Sequence, residues 1–255
     1  MPSKVGSNIL LDKKATKNAR YPPEVLKDML QATYNEEAES YDKERYEERP
    51  HDVRLMRMVK NLLPKYIVGN TVLELASGTG YWGEYITSLG YNYRGIELTD
   101  RMVKISREKG LVVSQGDVED IHNYSPCDTV VCIKAFGFFP NPIKVLHNIR
   151  MSLNPGGRLI NFYYNCRYRN AIVRLYSLFK DPDIISYQPP WDERYTWKQY
   201  KELCAQAGFR VTYMRDCVVL PYKIIPKRLH GLADKLDNRL KHFGFVTMAI
   251  SEVKK

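Results

Sequence analysis

The sequence predicts an α/β fold: a doubly wound, mostly parallel sheet with helices on both faces. Two observations carry this expectation. Six short apolar runs recur along the chain, at Thr71–Leu75, Asn92–Leu98, Leu111–Gln115, Asp128–Ile133, Gly157–Tyr163 and Phe209–Met214. Helical patterns near Tyr81–Leu89, Arg101–Lys109, Ile143–Leu153 and Thr196–Ala207 alternate with them. Such alternation is the signature of parallel strands joined by crossover helices. The turn Asn154-Pro155-Gly156-Gly157 stops one helix and opens the fifth strand.

Taken in order, residues 1–20 are basic and without hydrophobic period, and are expected to be a disordered tail. Tyr21-Pro22-Pro23 marks an extended entry. From Glu24, the spacing Val25, Met29, Ala32 suggests a helix that leads to Tyr34 and Tyr41, seven apart and so on one helical face. These two rings either pack on the domain or cover a ligand's mouth. After Pro50, the positions Val53, Met56, Val59 and Leu63 form an amphipathic helix ending at Pro64. Residues 21–255 read as one domain with two insertions, 164–195 and 216–242, expected to form a lid over the substrate. The first holds a basic-aromatic helix candidate, Arg167 to Phe179. The second holds a leucine stripe from Leu229 to Leu240, and a last strand, Phe243 to Val253, ends the chain.

Composition narrows the function. The net charge of +10 suggests an anionic partner or a solvated basic surface. Nineteen tyrosines suit a pocket of rings that also form hydrogen bonds. Five cysteines without a C-x-x-C pair imply neither a disulfide framework nor a metal site. No apolar run is long enough to span a membrane, and a reduced, cytoplasmic compartment is the expectation.

The stretch Val72–Gly83 organises the rest. A strand ends on Leu75, a small-residue loop follows, and a helix opens near Tyr81. Glycine lets a ligand approach the backbone, and the helix N-terminus offers unpaired N–H groups. Gly78-x-Gly80-x-x-Gly83 fits the dinucleotide fingerprint, so a hydride-transfer enzyme has to be weighed. Glu74 and Asp117 argue otherwise, while Glu97 would serve either cofactor. Glu74, four residues before Gly78, would repel a pyrophosphate and attract the ammonium of an amino acid. Glu97 ends the second strand, where a carboxylate can take both hydroxyls of a ribose. Asp117 follows the third strand and can accept from an exocyclic amine while Val118 packs on the ring.

With these motifs the chain resembles the class I S-adenosylmethionine-dependent methyltransferases of the small-molecule "type 11" group. The matching residues are Glu74-Leu-Ala-Ser-Gly78-Thr-Gly80, Gly95-Ile-Glu97-Leu-Thr-Asp-Arg-Met102-Val, Gly116-Asp117-Val118-Glu-Asp-Ile, Cys127-Asp128-Thr-Val-Val-Cys-Ile133, Leu153-Asn-Pro-Gly-Gly-Arg-Leu-Ile160 and the late Trp197-to-Gly208 segment. Ala76 departs from the pattern, standing where the family often has its first glycine. The resemblance implies a Rossmann-like sheet of seven strands in the order 3-2-1-4-5-7-6, the last antiparallel. It assigns the methionine moiety to Ala76, Ser77, Gly78 and Gly80 with Glu74, the ribose to Glu97, and the adenine to Leu98, Met102, Asp117 and Val118. Ile133 and Lys134 would border the methyl donor, and Tyr41 with Tyr34 would fold over the cofactor.

Methyl transfer needs alignment, desolvation and disposal of one proton. Of the five histidines, His51 lies nearest the expected cofactor mouth and is the candidate base; no firm base emerges. Tyr34, Phe136, Phe138, Tyr163 and Tyr164 are expected to wall a pocket for a small, partly aromatic or apolar acceptor, although Phe136 and Phe139 can equally pack beneath the insertion. The favoured reading is therefore methylation of O, N or C of a small metabolite, with S-adenosylmethionine as cofactor and S-adenosylhomocysteine as product. An RNA (tRNA) methyltransferase and a non-catalytic or partner-activating subunit are the alternatives. The acceptor and the oligomeric state are not legible.

Overall fold

The structure is a computed structural model that describes residues 21–48, 50–120, 125–167, 189–218, 229–239, 242 and 244–254. Its strands are β1 (Thr71–Leu75), β2 (Asn92–Glu97), β3 (Val113–Gln115), β4 (Cys127–Ile133), β5 (Leu153–Tyr164), β6 (Phe209–Cys217) and β7 (Val246–Val253). They form one sheet in the order β3-β2-β1-β4-β5-β7-β6. Pairing is parallel from β3 to β5, and antiparallel where β7 slots between β5 and β6. The expected order and sense are both observed.

Helices α1 (Pro23–Glu37), α2 (Pro50–Leu62), α3 (Tyr81–Ser88), α4 (Asp100–Glu108), α5 (Pro142–Ser152), α6 (Trp197–Gln206) and α7 (His230–Arg239) flank the sheet among the described residues. The strand period of two divides the interior into two cores. Leu73, Leu75, Val130, Cys132, Leu159 and Tyr163 point one way, onto Val145, Leu146 and Ile149 of α5 and Tyr200 and Cys204 of α6. Val72, Val131, Ile133, Ile160 and Phe162 point the other, onto α2, Trp82 and Ile86 of α3 and Val103 of α4. Because both faces are covered, the strands read as apolar runs rather than as alternations.

Local chemistry sets the boundaries. Thr196 and Gln199 form a reciprocal capping box that starts α6, and Pro142 opens α5 where its missing N–H costs nothing. β5 pairs Leu153 with Cys127 and then Arg158 with Thr129, so residues 154–157 loop out as the expected turn. β6 runs three residues further than expected and β7 begins three later, because Phe245 N–H instead donates to Val218 O, 3.0 Å.

Asp128 ties the sheet's lower end together. Its Oδ2 accepts from Asn70 N–H, Thr71 N–H and Thr71 Oγ1, and its Oδ1 accepts from Asn154 Nδ2. The Asn154 amide first, then Thr71 and Asn70, hold the carboxyl well below its ordinary 3.8. Depression of a folded-state carboxyl gives stability that is present above that value and lost as pH falls beneath it. Asp128→Ala is expected to cost about 1–3 kcal/mol and to flatten this acid limb, measured by urea unfolding between neutral and acid pH.

Both insertions are pinned at their bases. Asn165 bridges to Tyr195, and Asp216 Oδ1 accepts from Asn165 Nδ2 at 3.0 Å and Trp197 Nε1 at 2.8 Å. The 1–20 tail, most of the Arg167–Phe179 helix candidate and His122 lie outside the described residues. No described helix is long and apolar enough to cross a membrane.

Candidate functional site

β1 ends beside β2, and the chain then turns through three left-handed residues: Ala76 (φ 51), Gly78 (φ 56) and Gly80 (φ 81). The turn is closed by Ser77 N–H donating to Ile96 O at 2.9 Å and by Gly78 N–H donating to Glu97 Oε2 at 2.8 Å. Ala76 explains the family's preference for glycine here, since an L side chain at positive φ costs about 1–2 kcal/mol. The other two glycines of the fingerprint serve packing. A Cβ at Gly80 would collide with Leu111 and Ser106, and one at Gly83 with the Tyr93 ring. Gly80 does not line the cavity described next, contrary to its expected place in the methionine cradle.

A cavity of about 550 Å³ opens over this turn. One end is formed by Glu74, Ala76, Ser77, Gly78, Glu97, Met102, Ile133 and Lys134. Glu74 is 1% exposed and accepts from Tyr93 Oη at 2.7 Å. Burial pushes its carboxyl from 4.5 up to about 8; the Tyr93 hydrogen bond opposes the rise and the charge of Glu97 adds to it. Glu97 is also buried and also raised by burial, against the pull of Thr99 N–H and Gly78 N–H.

Leu98, Asp117 and Val118 border a smaller recess that shares Leu30, Ala76, Glu97 and Phe138 with the main cavity. Asp117 is not waiting alone there. Lys27 of α1 bridges it (2.6 Å) and the buried Glu119 (2.8 Å), while Gln31 Nε2 donates to Leu98 O at 3.1 Å. Helix α1 is thereby latched onto the ends of β2 and β3.

The opposite end of the cavity is aromatic and charged. Tyr34, Tyr41, Tyr46, Phe138, Tyr164, Trp191 and Phe245 line it. Tyr34 meets Tyr41 edge-on at 5.9 Å and Phe138 at 6.0 Å, and Tyr41 meets Tyr46 at 5.8 Å. Three ion pairs stand among the rings: Arg45–Glu37 at 3.1 Å, Lys134–Asp52 at 2.6 Å and Arg194–Asp192 at 2.8 Å. The Tyr164 ring has Lys134 at 5.9 Å and Arg194 at 5.2 Å from its centroid.

Two expected pocket residues are elsewhere. Tyr163 stacks on Tyr200 at 4.5 Å, and Phe136 meets Tyr200 at 5.3 Å, both in the core on the other face of the sheet. Neighbours on a strand point to opposite faces, so Tyr163 and Tyr164 cannot share a pocket. His51 lies on α2, its side chain outside the described residues; the adjacent Asp52 lines the cavity. Sequence reasoning missed Asp52, Arg45, Tyr46, Arg194 and Lys27. The one available signal was Asp52, next to the histidine already weighed.

This strand order, with acidic groups at the ends of β1 and β2 around a left-handed turn, defines a nucleotide-cofactor α/β enzyme of the methyltransferase class. The chain belongs to the family whose model, described as a methyltransferase domain, matches residues 45–213, and it is an S-adenosylmethionine-dependent methyltransferase. Among curated relatives, the ubiquinone biosynthesis O-methyltransferase of Hydrogenovibrio crunogenus is 22% identical over 180 residues, 67% of this chain and 73% of that one. Others of the same name match over only 42% to 51% of their length. A chain from the complex between the Haloferax volcanii Trm112 methyltransferase activator and a methyltransferase superposes with TM-score 0.63 at 19% identity, covering 87% of this chain and 98% of that one. Magnesium protoporphyrin IX methyltransferase from Synechocystis PCC 6803, solved with S-adenosylhomocysteine, gives TM-score 0.63 at 11% identity, covering 90% and 100%. At these identities the structures bear on the fold alone.

Proposed function

We propose that the protein transfers a methyl group from S-adenosylmethionine to a hydroxyl of a small, partly aromatic metabolite. The observation that carries this reading is a cavity lined both by the buried carboxylates Glu74 and Glu97 and by aromatic rings. Its donor set fits the cofactor. Glu74 suits the cationic amino end, the remaining lone pairs of Glu97 suit ribose hydroxyls, and Asp117 with Val118 suits the adenine edge. Ile133 and Lys134, which line the same cavity, suit the place where the reacting groups would meet. When bound, the cofactor supplies an electrophilic methyl on a sulfonium sulfur that keeps the bonding pair.

The chain's own task is to exclude water and to align the acceptor. Tyr34 on α1 and Tyr41 just after it line the cavity and are suited to shielding a bound cofactor from water; burial pushes both phenol groups above their ordinary range. Oxygen is favoured over nitrogen or carbon because the named relatives are O-methyltransferases. The RNA reading draws on the +10 charge, but Tyr168, Arg169 and Arg174 of its basic-aromatic motif lie outside the described residues. Filter binding of tRNA across salt tests that reading, which requires steeply salt-dependent binding. Incubation of the protein with methyl-labelled S-adenosylmethionine and a small-molecule extract is expected to give a labelled, alkali-stable methyl ether. A methylated amine as the main product would contradict the oxygen assignment.

A further inference from the structure

The Lys134–Asp52 ion pair lines this cavity, at 2.6 Å, with side chains only 13% and 3% exposed. Lys134 follows β4 directly. Glu74 and Leu75 of β1 pair in register with Val131 and Cys132, so Lys134 lies beside the cofactor carboxylates. Its backbone is left-handed, φ 63, a conformation that costs a lysine about 1–2 kcal/mol. Its N–H nevertheless donates to Phe162 O at 2.7 Å, which holds the conformation in place. Strained non-glycine residues concentrate at functional sites, and a buried ion pair is a poor source of stability compared with apolar packing. The pair is therefore better explained by chemistry than by folding.

We propose that Asp52 is the general base for methyl transfer to a hydroxyl acceptor of the phenol or enol class, with Lys134 positioning its carboxylate. This rests on the function proposed above. The proton balance is simple: the acceptor O–H bond breaks, the proton passes to Asp52, and the electron pair left on oxygen forms the new O–CH₃ bond while the S–CH₃ pair stays on sulfur. Lys134 orients the carboxylate and offsets charge building on the acceptor oxygen. Its ammonium stays charged: burial alone would discharge it, but Tyr164, Asp52 and Tyr41 around it outweigh burial. The other cavity carboxylates have different work: Glu74 accepts from Tyr93 Oη and suits the cofactor's amino end. Glu37 meets Arg45, Asp192 takes two N–H groups of Arg194, and Glu97 holds two backbone N–H groups.

The test uses 4-nitrophenol, whose phenolate absorbs visible light and whose neutral form does not, titrated into the full chain saturated with S-adenosylhomocysteine at the pKa of the free phenol. In the wild type, binding is expected to diminish the phenolate band, because the neutral phenol donates to Asp52. In Asp52→Asn, binding is expected to enhance the band, because the Lys134 ammonium, deprived of its carboxylate, takes the phenolate. Adding Lys134→Asn, a residue that tolerates left-handed backbone, should abolish that enhancement. With the acceptor found by the labelling screen, Asp52→Asn should lower kcat by about 10²–10⁴-fold and remove the acidic limb of its pH profile, with Asp52→Glu restoring part of both. Identical spectra for wild type and Asp52→Asn would overturn the proposal, as would no saturable phenol binding to a chain that binds S-adenosylhomocysteine. Failure to bind S-adenosylhomocysteine would instead overturn the placement of the cofactor.

Discussion

Replacing Glu97 by alanine is expected to produce the largest loss of any single change at the site, in stability and in cofactor binding together. The carboxylate does two jobs. Its Oε2 accepts Gly78 N–H at 2.8 Å and its Oε1 accepts Thr99 N–H at 2.9 Å, so it fastens the left-handed turn to the end of β2. Each orphaned buried donor costs about 1–3 kcal/mol, and the two together should lower stability by about 2–6 kcal/mol on the same basis. Two lost hydrogen bonds to a ribose at about 1.4 kcal/mol each would weaken S-adenosylhomocysteine binding by roughly 100-fold. Glu97→Gln separates the jobs, since its amide keeps one acceptor oxygen. An intermediate melting temperature with still poor binding is expected, read by thermal unfolding and calorimetry.

The second large effect is pH linkage at Glu74. Its carboxyl rises from 4.5 to about 8 in the folded chain, chiefly through burial. The folded state therefore holds a proton that the unfolded chain has released, so the contribution to stability is full below 4.5 and is lost as pH rises to about 8. Binding a cationic amino group requires the ionised form. Affinity for S-adenosylhomocysteine should rise by up to about tenfold per pH unit until that ionisation is complete, with proton release visible in buffers of different ionisation enthalpy. Glu74→Gln should flatten both dependences. Tyr93→Phe removes the hydrogen bond that steadies the carboxylate, so it should move the binding profile to higher pH.

Much of the frame was legible because it follows from short-range rules. Apolar runs between helices announce strands buried on both faces, and a carboxylate closing such a run, as Glu74 does, is conspicuous against it. Glu97 and Asp117 stood out in the same way. What could not be read required knowing how helices lie over the sheet. Lys27 meets Asp117 across 90 residues of sequence (117 − 27), and Asp52 meets Lys134 across 82; no local period carries either. Strand parity was a different kind of loss. Tyr163 and Tyr164 both sit at the rim, but only register and side decide that Tyr163 stacks on Tyr200 while Tyr164 faces the cavity. The fingerprint glycines misled for a related reason. Gly80 and Gly83 are crowded by Leu111, Ser106 and Tyr93, and neither lines the cavity.

The central claim is that this cavity joins S-adenosylmethionine to a small hydroxyl acceptor. The most direct measurement is the fate of label from methyl-labelled S-adenosylmethionine offered simultaneously to a small-molecule fraction and an RNA fraction of one extract, with wild type and Glu97→Ala side by side. The expected result is label in a methyl ether of low mass, absent with the variant. Label recovered in RNA, or in a small molecule equally with both proteins, would contradict it.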